Sequence, residues 1–515
     1  MTSAGPPAPP ADGGRLPGRV QVAVVGTGFA GLGTAIGLKR AGRDDFVVLE
    51  RADDLGGTWR DNSYPGCACD VPSHLYSFSF APNPDWTRSF SPQPEIEAYL
   101  HRTARDFGVL PHLRFGAELL RADWDASAQV WHLRTARGDL DADVLVLGTG
   151  PLSEPSIPAL AGLDGFAGTT FHSATWRHDH DLTGERVAVI GTGASAIQFV
   201  PSVQQQAAHL TLFQRTAPWV LPRRDRAIRP AERLLYKAIP AVQKVARSSI
   251  YWLRESWILG FSFDQRIMQL AEKQAHGVLA KQVPDPELRR KLTPDFRLGC
   301  KRVLLSNTYF PALSQPNVDV VTERITELLP RAVVTTAADG TRTEHPVDTI
   351  IFGTGFRVTD PPVAERVFGT AGRSLSENWA DGGMRALHGA TIAGFPNLFF
   401  LVGPNTGLGH TSIVFIIETQ VAYLLDLLRR LDNAGLATFE ARADVQDAYN
   451  GRIQRRLQRT VWNTGGCASW YLDARGRNTT LWPTFTFTFR RQLRRADLAE
   501  YVTTARSATA REVAA

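Results

Sequence analysis

Two glycine-rich stretches have the spacing that binds the diphosphate of a dinucleotide cofactor. In the first, an apolar run at residues 20–26 leads into Gly26, Gly28 and Gly31, and a helical pattern follows. These glycines permit a tight turn, a close approach of the backbone to the diphosphate, and close packing of helix on strand. The next strand ends at Glu50, whose carboxylate can accept hydrogen bonds from ribose hydroxyls, as in FAD. The predicted FAD contacts of this stretch are Gly26, Gly28, Phe29, Ala30, Gly31 and Glu50.

The same pattern recurs after the strand-like run RVAVIG at residues 186–191. Here the following strand ends in Arg215 instead of an acidic residue. A glutamate would repel a 2′-phosphate, whereas a guanidinium can hold one by charge-assisted hydrogen bonds, so this site suits NADP(H). The alternative is that Arg215 is only a surface charge at a strand end. The predicted NADP contacts are Gly191, Gly193, Ala194, Ser195, Ala196, Gln198, Arg215 and Thr216.

A chain with both sites is predicted to be a flavoprotein that takes hydride from NADPH. Its electrons could go to a disulfide, to an organic acceptor or to oxygen. Disulfide reductases place Cys-x-x-Cys beside the flavin, but Cys67 and Cys69 are separated by a single residue. No grouping of thiols and histidines predicts a metal site. Four cysteines in the sequence do not predict a disulfide framework and favour a reducing, cytoplasmic setting.

Two further stretches resemble the signatures of flavin-dependent Baeyer–Villiger monooxygenases. GGTWRDNSYPGCACD, residues 56–70, matches the family's first motif at every fixed position and ends in Asp70. FAGTTFHSATWR, residues 166–177, is similar to the second motif. Its matching positions are Phe166, Gly168, His172 and Trp176. We expect His172 to act as a hinge or structural residue between the domains and not as a proton carrier.

This resemblance implies an active site. GCKRVLLSNTYFPAL, residues 299–313, resembles the family segment that carries the catalytic arginine, here Arg302, with Lys301 as an NADP-phosphate contact and Asp70 as the anchor of Arg302. GGCASWYLD, residues 465–473, is similar to a C-terminal loop that would place Trp470 near the nicotinamide or substrate. Further FAD contacts implied are Gly57, Thr58, Trp59, Asp70 and Tyr76. The alternatives are that Arg302 and Lys301 are ordinary strand-edge charges and that Trp59 and Tyr76 are core aromatics.

The implied chemistry is insertion of one oxygen atom from O₂ beside a ketone carbonyl through a C4a-peroxyflavin, with NADPH as reductant. A fixed guanidinium suits the anionic peroxide and its tetrahedral adduct because it stabilises both without transferring a proton. Three alternatives remain. The first is oxidation of sulfur or nitrogen, the second is an NADPH-dependent flavin reductase or oxidase, and the third is a non-catalytic flavin-binding protein.

Positioning these residues requires an α/β fold with two Rossmann-like dinucleotide-binding domains and a helical insertion. In 515 residues two or three domains are expected. We assign residues 16–155 and 341–503 to a discontinuous FAD-binding domain and residues 156–340 to an NADP-binding domain, with helices at 223–296. Within that insertion YWLRESWILGF, residues 251–261, could touch a membrane or an apolar substrate, but core packing is favoured.

The tails, the hydropathy and the net charge indicate which kinds of partner the protein can have. Residues 1–15 and 504–515 are predicted to be tails, the former rich in Pro, Gly and Ala and without the apolar region of a signal peptide. No run approaches the ~18 apolar residues of a membrane span. The net charge of +6 fits attraction of a phosphorylated cofactor, and no motif predicts binding of nucleic acid. The sequence predicts no particular oligomeric state.

Overall fold

The computed structural model describes residues 14–506 of the chain. Most of both predicted tails lies outside these residues. At the C-terminal side, however, residues 504 and 505 complete a strand that begins at Tyr501, so the chain remains in regular structure beyond the expected boundary at 503.

The described residues form strands of two to ten residues, many of them fully buried. In chain order they are β1 Arg19–Val25, β2 Phe46–Leu49, β3 Leu113–Arg114, β4 Leu119–Asp125, β5 Val130–Thr135, β6 Gly138–Leu147, β7 Thr169–His172, β8 Arg186–Ile190, β9 His209–Phe213, β10 Val220–Leu221, β11 Leu304–Leu305, β12 Val318–Val321, β13 Arg324–Leu329, β14 Ala332–Thr336, β15 Arg342–Pro346, β16 Thr349–Phe352, β17 Val367–Phe368, β18 Leu398–Phe400, β19 Leu436–Ala441 and β20 Tyr501–Ala505.

The α-helices of the same residues begin at recognisable signals. Pro occupies the first turn of several, and Ser412 and Asp285 cap two others through their side chains. The helices are α1 Phe29–Arg40, α2 Thr58–Asp61, α3 Gln93–Asp106, α4 Ala196–Gln206, α5 Pro230–Ala238, α6 Pro240–Glu255, α7 Met268–Gln282, α8 Pro286–Lys291, α9 Tyr309–Leu313, α10 Leu375–Ala380, α11 Ile413–Asn433, α12 Ala443–Leu457, α13 Val461–Thr464 and α14 Thr486–Gln492.

The first large sheet holds the first glycine fingerprint at the end of its central strand β1. The strand order is β17-β4-β5-β6-β1-β2-β3, and β18 also pairs with β6. β1 runs parallel to both β2 and β6, and α1 packs against α11 on one face. The βαβ unit β1–α1–β2 therefore presents the N-terminus of α1 at the carboxyl edge of the sheet, where dinucleotides bind in such folds.

The second large sheet has the order β12-β9-β8-β16-β7, and all of its strands are parallel. β8 leads into the second fingerprint, α4 and β9. The sequence predicts that this domain ends at residue 340, but β16, Thr349–Phe352, pairs with β8 and β7. That boundary is therefore too early. A buried apolar strand fits either sheet by pattern alone, and only its hydrogen-bond partners decide where it belongs.

Residues 223–296 contain α5, α6, α7 and α8 together with a π-helical turn at Leu259–Phe263. The preference for core packing of residues 251–261 is wrong in part. Ile258 and Phe261 are buried, but Trp252 is 56% and Leu253 67% exposed. α6 instead turns Gln243 and Glu255 inward, because each finds a hydrogen-bond partner there. In residues 14–506, no helix is long and apolar enough to cross a membrane.

Candidate functional site

The segment of residues 56–70 runs from the first fingerprint to the second. At its start, a Cβ on Gly57 would lie 3.2 Å from the Cα of Gly28. At its middle, a Cβ on Gly66 would lie 2.7 Å from the backbone oxygen of Gln198, just beyond the second fingerprint. Both glycines have positive φ, +53° and +81° respectively. Close backbone approach and a left-handed conformation together require glycine at these positions.

Gln198 fastens this segment to α4. Its side-chain oxygen accepts hydrogen bonds from the Tyr64 hydroxyl at 3.1 Å and from the Ala68 amide at 3.3 Å. Its side-chain nitrogen donates to the Ala68 carbonyl at 3.0 Å. The side-chain amide of Gln198, a predicted NADP contact, therefore joins α4 to the segment of residues 56–70.

Asp70, the last residue of the segment, pairs with Arg302 in a two-point ion pair. Arg302 Nε donates to Asp70 Oδ2 at 2.5 Å and Nη2 donates to Oδ1 at 2.6 Å. The pair joins residues 232 positions apart, one beside each fingerprint domain. The planar fork of an arginine matches a carboxylate in this geometry and fixes the orientation of the guanidinium.

Charge and burial maintain this pair. Burial alone would raise the pKa of Asp70, but the Arg302 guanidinium outweighs it and lowers the pKa below its usual value. Burial would lower the pKa of Arg302, and the Asp70 carboxylate raises it instead. The two groups therefore remain ionised at neutral pH.

The pair lies at a small cavity of about 30 Å³ between the helical insertion and the residues around 410. Arg254 of α6 donates to the backbone oxygen of Asp70 at 3.3 Å, and its pKa is lowered by burial. Tyr471 is buried beside the pair, and burial raises its pKa to about 12. Trp257 and Phe261 form an apolar wall of the same cavity.

His410 also lines this cavity and has unmet hydrogen-bonding capacity. Its side chain is 1% exposed, neither ring nitrogen has a hydrogen-bond partner, and Nε2 lies 3.6 Å from the buried carboxylate of Glu255. The hydroxyl of the neighbouring Thr411 is likewise buried without a partner. Buried polar atoms are rarely left unpaired, so these atoms can bond a water molecule or a polar atom of a ligand.

A second cluster gathers positive charge at the end of β9. Arg215 is exposed, and Lys301 Nζ donates to the Thr216 hydroxyl at 2.9 Å. Burial lowers the pKa of Lys301, and the nearby charge of Arg215 lowers it further. Two cations and a hydroxyl held this close form a cradle for a phosphate group.

The geometry of both fingerprints leaves space for a diphosphate. A Cβ on Gly31 would lie 1.8 Å from the Gly26 carbonyl oxygen, and one on Gly191 would lie 2.4 Å from that of Gly353, so backbone is tightly packed there. By contrast, nothing lies nearer than 3.9 Å to a Cβ on Gly28 or 3.8 Å to one on Gly193. The middle glycine of each fingerprint is therefore the open one. Ala194 is exposed beside Gly193, Ser195 is half-buried, and Phe29, Ala30 and Ala196 are buried in the helices.

Glu50 is held at the end of β2 by the first fingerprint itself. Its carboxylate accepts from the Thr27 amide and hydroxyl, at 3.1 and 2.6 Å, and from the Ala52 amide at 3.0 Å. Nη1 of Arg60 lies 3.1 Å from Oε1 of Glu50. This network fixes the carboxylate beside the glycine turn.

The aromatic residues predicted against FAD pack on each other. The Trp59 indole N–H donates to the Tyr76 hydroxyl at 3.1 Å, and Phe29 meets Tyr76 edge to face at 5.1 Å. Thr58 is half-buried at the first position of α2. Phe29 belongs to the fingerprint helix α1, Trp59 to the segment of residues 56–70, and Tyr76 comes shortly after that segment.

The second motif forms a packing unit at the edge of the second sheet. Gly168 is required because a Cβ there would lie 2.1 Å from the Asp348 carbonyl oxygen and against the ring of Phe166. Trp176 packs on Phe199 of α4 at 5.3 Å. His172 ends β7, is 2% exposed, and accepts from the Ala174 amide at 3.1 Å. Burial lowers its pKa, which favours the neutral ring, and its role as a hinge or structural residue stays a prediction.

The cysteines divide into two kinds. Cys300 and Cys467 form a disulfide that ties the residues just before Lys301 and Arg302 to the loop that carries Trp470. The sequence analysis expected no disulfide framework, because a pairing across 167 residues leaves no local signal. Cys67 and Cys69 are free and buried, and burial raises the pKa of both thiols, that of Cys67 to about 12.

Trp470 is 42% exposed and packs at a tilt against Tyr471, with ring centroids 4.4 Å apart. Tyr471 lies close enough to Arg302 and Asp70 for their charges to affect its pKa, and the place of Trp470 near the nicotinamide or substrate stays a prediction. Sequence reasoning also missed Arg254 and His410. Neither lies in a matched motif, and Arg254 lies in a helix whose outward face carries large apolar side chains.

Comparison with known proteins agrees with this architecture. Residues 19–375 match the family described as flavin-binding monooxygenase-like. A Baeyer–Villiger monooxygenase of Streptomyces coelicolor is 57% identical over 94% of this chain and 92% of its own length. One of Pseudomonas aeruginosa is 50% identical over 93% and 91%. The crystal structure of cyclohexanone monooxygenase from Rhodococcus sp. Phi1 bound to NADP⁺ superposes with a TM-score of 0.83 at 27% identity, covering 95% of this chain and 100% of that one. The predicted fold class is confirmed.

Proposed function

The chain belongs to the flavin-binding monooxygenase-like family, and from this premise we propose that it is an FAD-containing, NADPH- and O₂-dependent Baeyer–Villiger monooxygenase. It converts a ketone to an ester or lactone by inserting one oxygen atom beside the carbonyl. The observation that carries the proposal is the half-buried two-point pair of Asp70 and Arg302, beside buried polar atoms of His410 and Thr411 that have no hydrogen-bond partner among residues 14–506. The extent of similarity to two proteins named for this activity supports it.

The residues of the first fingerprint fit FAD. The open space over Gly28 and the amides at the start of α1 suit the diphosphate, and Glu50, the acid predicted for the ribose, is held at the end of β2 by Thr27, Ala52 and Arg60. Trp59 and Tyr76 would bound the flavin end. When bound, FAD accepts hydride from NADPH and activates oxygen.

The second fingerprint fits NADPH. Gly193 leaves the same kind of space, and Arg215, Thr216 and Lys301 supply charges and a hydroxyl for the 2′-phosphate. Because Lys301 is adjacent to Arg302, cofactor phosphate binding and the position of the catalytic guanidinium are coupled through one stretch of backbone.

Arg302 is the proposed catalytic residue. Its guanidinium faces the cavity and remains charged, so it stabilises negative charge that develops on oxygen during insertion. Asp70 orients Arg302 through two hydrogen bonds and prevents it from turning toward solvent. Trp257 and Phe261 keep water away from the same space.

His410 is placed to orient a polar atom of the substrate or cofactor. Within residues 14–506 its buried Nδ1 has no hydrogen-bond partner and its Nε2 has only the Glu255 carboxylate at 3.6 Å, so a ligand atom can bond to Nδ1 without displacing a hydrogen bond. Tyr471, with its raised pKa, stays protonated and can act only as a hydrogen-bond donor or neutral acceptor at neutral pH.

Oxidation of sulfur or nitrogen, and simple flavin reduction or oxidation, are less well supported than oxygen insertion beside a ketone. The proteins of Streptomyces coelicolor and Pseudomonas aeruginosa to which the chain is similar are both named Baeyer–Villiger monooxygenase, and a fixed cation beside an anionic oxygen favours nucleophilic attack on a carbonyl. We further propose a ketone and O₂ as the reaction partners, no nucleic acid, and a cytoplasmic location, where NADPH is supplied.

Substitution of Arg302 tests this assignment. Purified Arg302→Ala, loaded with FAD, should still be reduced by NADPH in anaerobic mixing experiments but should form ester from a ketone panel on the order of 10²–10³-fold more slowly. Arg302→Lys should give little recovery, because a lysine keeps the charge but loses the two-point pair with Asp70. Ester formation by Arg302→Ala at a rate near that of the unsubstituted protein contradicts the proposed role.

A further inference from the structure

Helix α6 exposes large apolar side chains on its outward face. Val245, Trp252 and Leu253 are 64%, 56% and 67% exposed, and they share this face with Lys244, Ser248 and Ser249. Two ionisable side chains of the same helix point inward. Glu255 is buried against Thr486, and Arg247 donates to the His74 carbonyl at 2.6 Å. A group of exposed large apolar side chains is typical of a contact surface.

The apolar surface continues beyond α6 as a connected set of rings, the aromatic patch, formed by Trp252, Phe263, Phe485 and Phe487. Ring centroids of Trp252 and Phe487 are 5.8 Å apart, those of Phe485 and Phe487 4.9 Å, and those of Phe263 and Phe485 5.5 Å. Phe263 is 61% exposed. The patch therefore joins the insertion to α14 in a single aromatic surface.

Positive charge borders this patch. The ten residues that follow Phe485 contain four arginines and no acid, and all four arginines are exposed. Arg490, Arg491 and Arg494 line a surface pocket of about 470 Å³ that Phe487 also lines. The carboxylate in the pocket, Glu418, is already bonded to the Ser79 amide. Within residues 14–506 no salt bridge involves these arginines.

We propose that this surface docks the protein on an anionic phospholipid membrane. The aromatic patch enters the boundary between headgroups and acyl chains, and the arginine pocket holds lipid phosphates. Exposed aromatic residues beside clustered arginines are what an interfacial contact with anionic lipid requires, without any span of the bilayer. A two-fold contact between copies centred on the patch would instead bring two arginine clusters together, which like-charge repulsion opposes.

Membrane docking also connects the outer surface with the cavity. The chain that exposes Trp252 and Phe263 turns Arg254, Trp257 and Phe261 into the cavity that holds Asp70 and Arg302. An apolar ketone dissolved in the lipid therefore meets the insertion before it meets water. This inference goes beyond the proposed oxidation, since lipid binding is measured without any turnover.

Vesicle co-sedimentation tests the proposal directly. The full-length protein loaded with FAD is mixed with vesicles of phosphatidylcholine alone or with about 30% phosphatidylglycerol. Two variants remove the proposed contacts, Trp252→Ser/Leu253→Ser and Arg491→Gln/Arg494→Gln. Matched controls remove exposed residues elsewhere, Leu110→Ser/Leu120→Ser and Arg102→Gln/Arg105→Gln.

We expect binding to anionic vesicles that weakens with salt and is much lower on phosphatidylcholine alone. The arginine variant should bind roughly 30-fold more weakly, at about 1 kcal/mol for each arginine near the surface. The Trp252–Leu253 variant should lose at least about tenfold, and both controls should bind like the unsubstituted protein. Absence of vesicle binding, or equal binding by all variants, overturns the proposal. A third outcome also overturns it. If light scattering shows that the unsubstituted protein is a dimer, that the Trp252–Leu253 variant is a monomer, and that neither binds vesicles, the patch contacts a second copy of the chain.

Discussion

Removal of Asp70 should damage oxidation almost as much as removal of Arg302, because the two residues act as one unit. Asp70→Ala deletes both charge-assisted bonds, of 2.5 and 2.6 Å, that orient the guanidinium. It also leaves the neighbouring cations Arg254 and Arg302 without the carboxylate that offsets their repulsion. Because the guanidinium then loses its fixed position, we expect kcat to fall on the order of 10²–10³-fold, as when a group that stabilises developing charge is removed.

A double-mutant cycle measures whether the residues are coupled. Arg302→Ala alone should cost on the order of 10²–10³ in kcat, and Asp70→Ala/Arg302→Ala should cost no more than about tenfold beyond that. Independent residues would multiply to roughly 10⁴–10⁶. The assay is ester formation by gas chromatography, with anaerobic reduction by NADPH followed separately to show that cofactor binding survives.

Asp143 supplies a matched control. It accepts two bonds from Arg19, at 3.2 and 2.7 Å, in a partly exposed pair between β1 and β6, and neither residue lines the cavity. Asp143→Ala should leave kcat within about twofold, because this pair touches none of the cavity residues and a partly exposed pair contributes little to stability. Multiplicative losses in the cycle, or an equal effect of Asp143→Ala, would refute the reasoning about Asp70.

Three further outcomes are expected. Arg215→Glu should raise KM for NADPH about 10- to 100-fold and leave KM for NADH nearly unchanged, because one charge-assisted contact to the 2′-phosphate is lost. Steady-state kinetics with both cofactors checks this prediction, and an unchanged preference for NADPH contradicts it. Cys300→Ser should lower the melting temperature in non-reducing buffer, as the disulfide closes a long loop worth roughly 2–4 kcal/mol; dithiothreitol should lower that of the unsubstituted protein alike and have no further effect on the variant. Since the folded-state pKa of Asp70 is lowered, its contribution to stability is present above about pH 4 and is lost as the pH falls through the folded pKa; Asp70→Asn should therefore show a shallower loss of melting temperature between about pH 5 and pH 3 than the unsubstituted protein.

The first βαβ unit could be predicted from the sequence because its signals lie close together along the chain. The glycines at 26, 28 and 31 and the acid at 50 predict a βαβ unit, because turn, helix start and strand end lie within one continuous stretch. The structure brings Asp70 and Arg302 together as expected, although that expectation came from similarity of motifs and not from spacing.

Long-range pairing limits what the sequence could predict. The strand Thr349–Phe352 is apolar enough for either sheet, and the Cys300–Cys467 disulfide joins distant residues without a local pattern. α6 misled prediction for a different reason. Its apolar residues were expected inside, but the helix buries Glu255 and exposes Trp252, and periodicity shows that two faces differ without showing which faces water.

Product analysis under ¹⁸O₂ tests the central claim most directly. The FAD-loaded protein is incubated with NADPH and a panel of ketones and sulfides, and products are identified by mass spectrometry. The proposed function predicts esters or lactones that carry one labelled oxygen atom, with NADPH consumed in equal amount. Sulfoxide alone would indicate a heteroatom monooxygenase, and hydrogen peroxide without any oxygenated product would contradict oxygen insertion altogether.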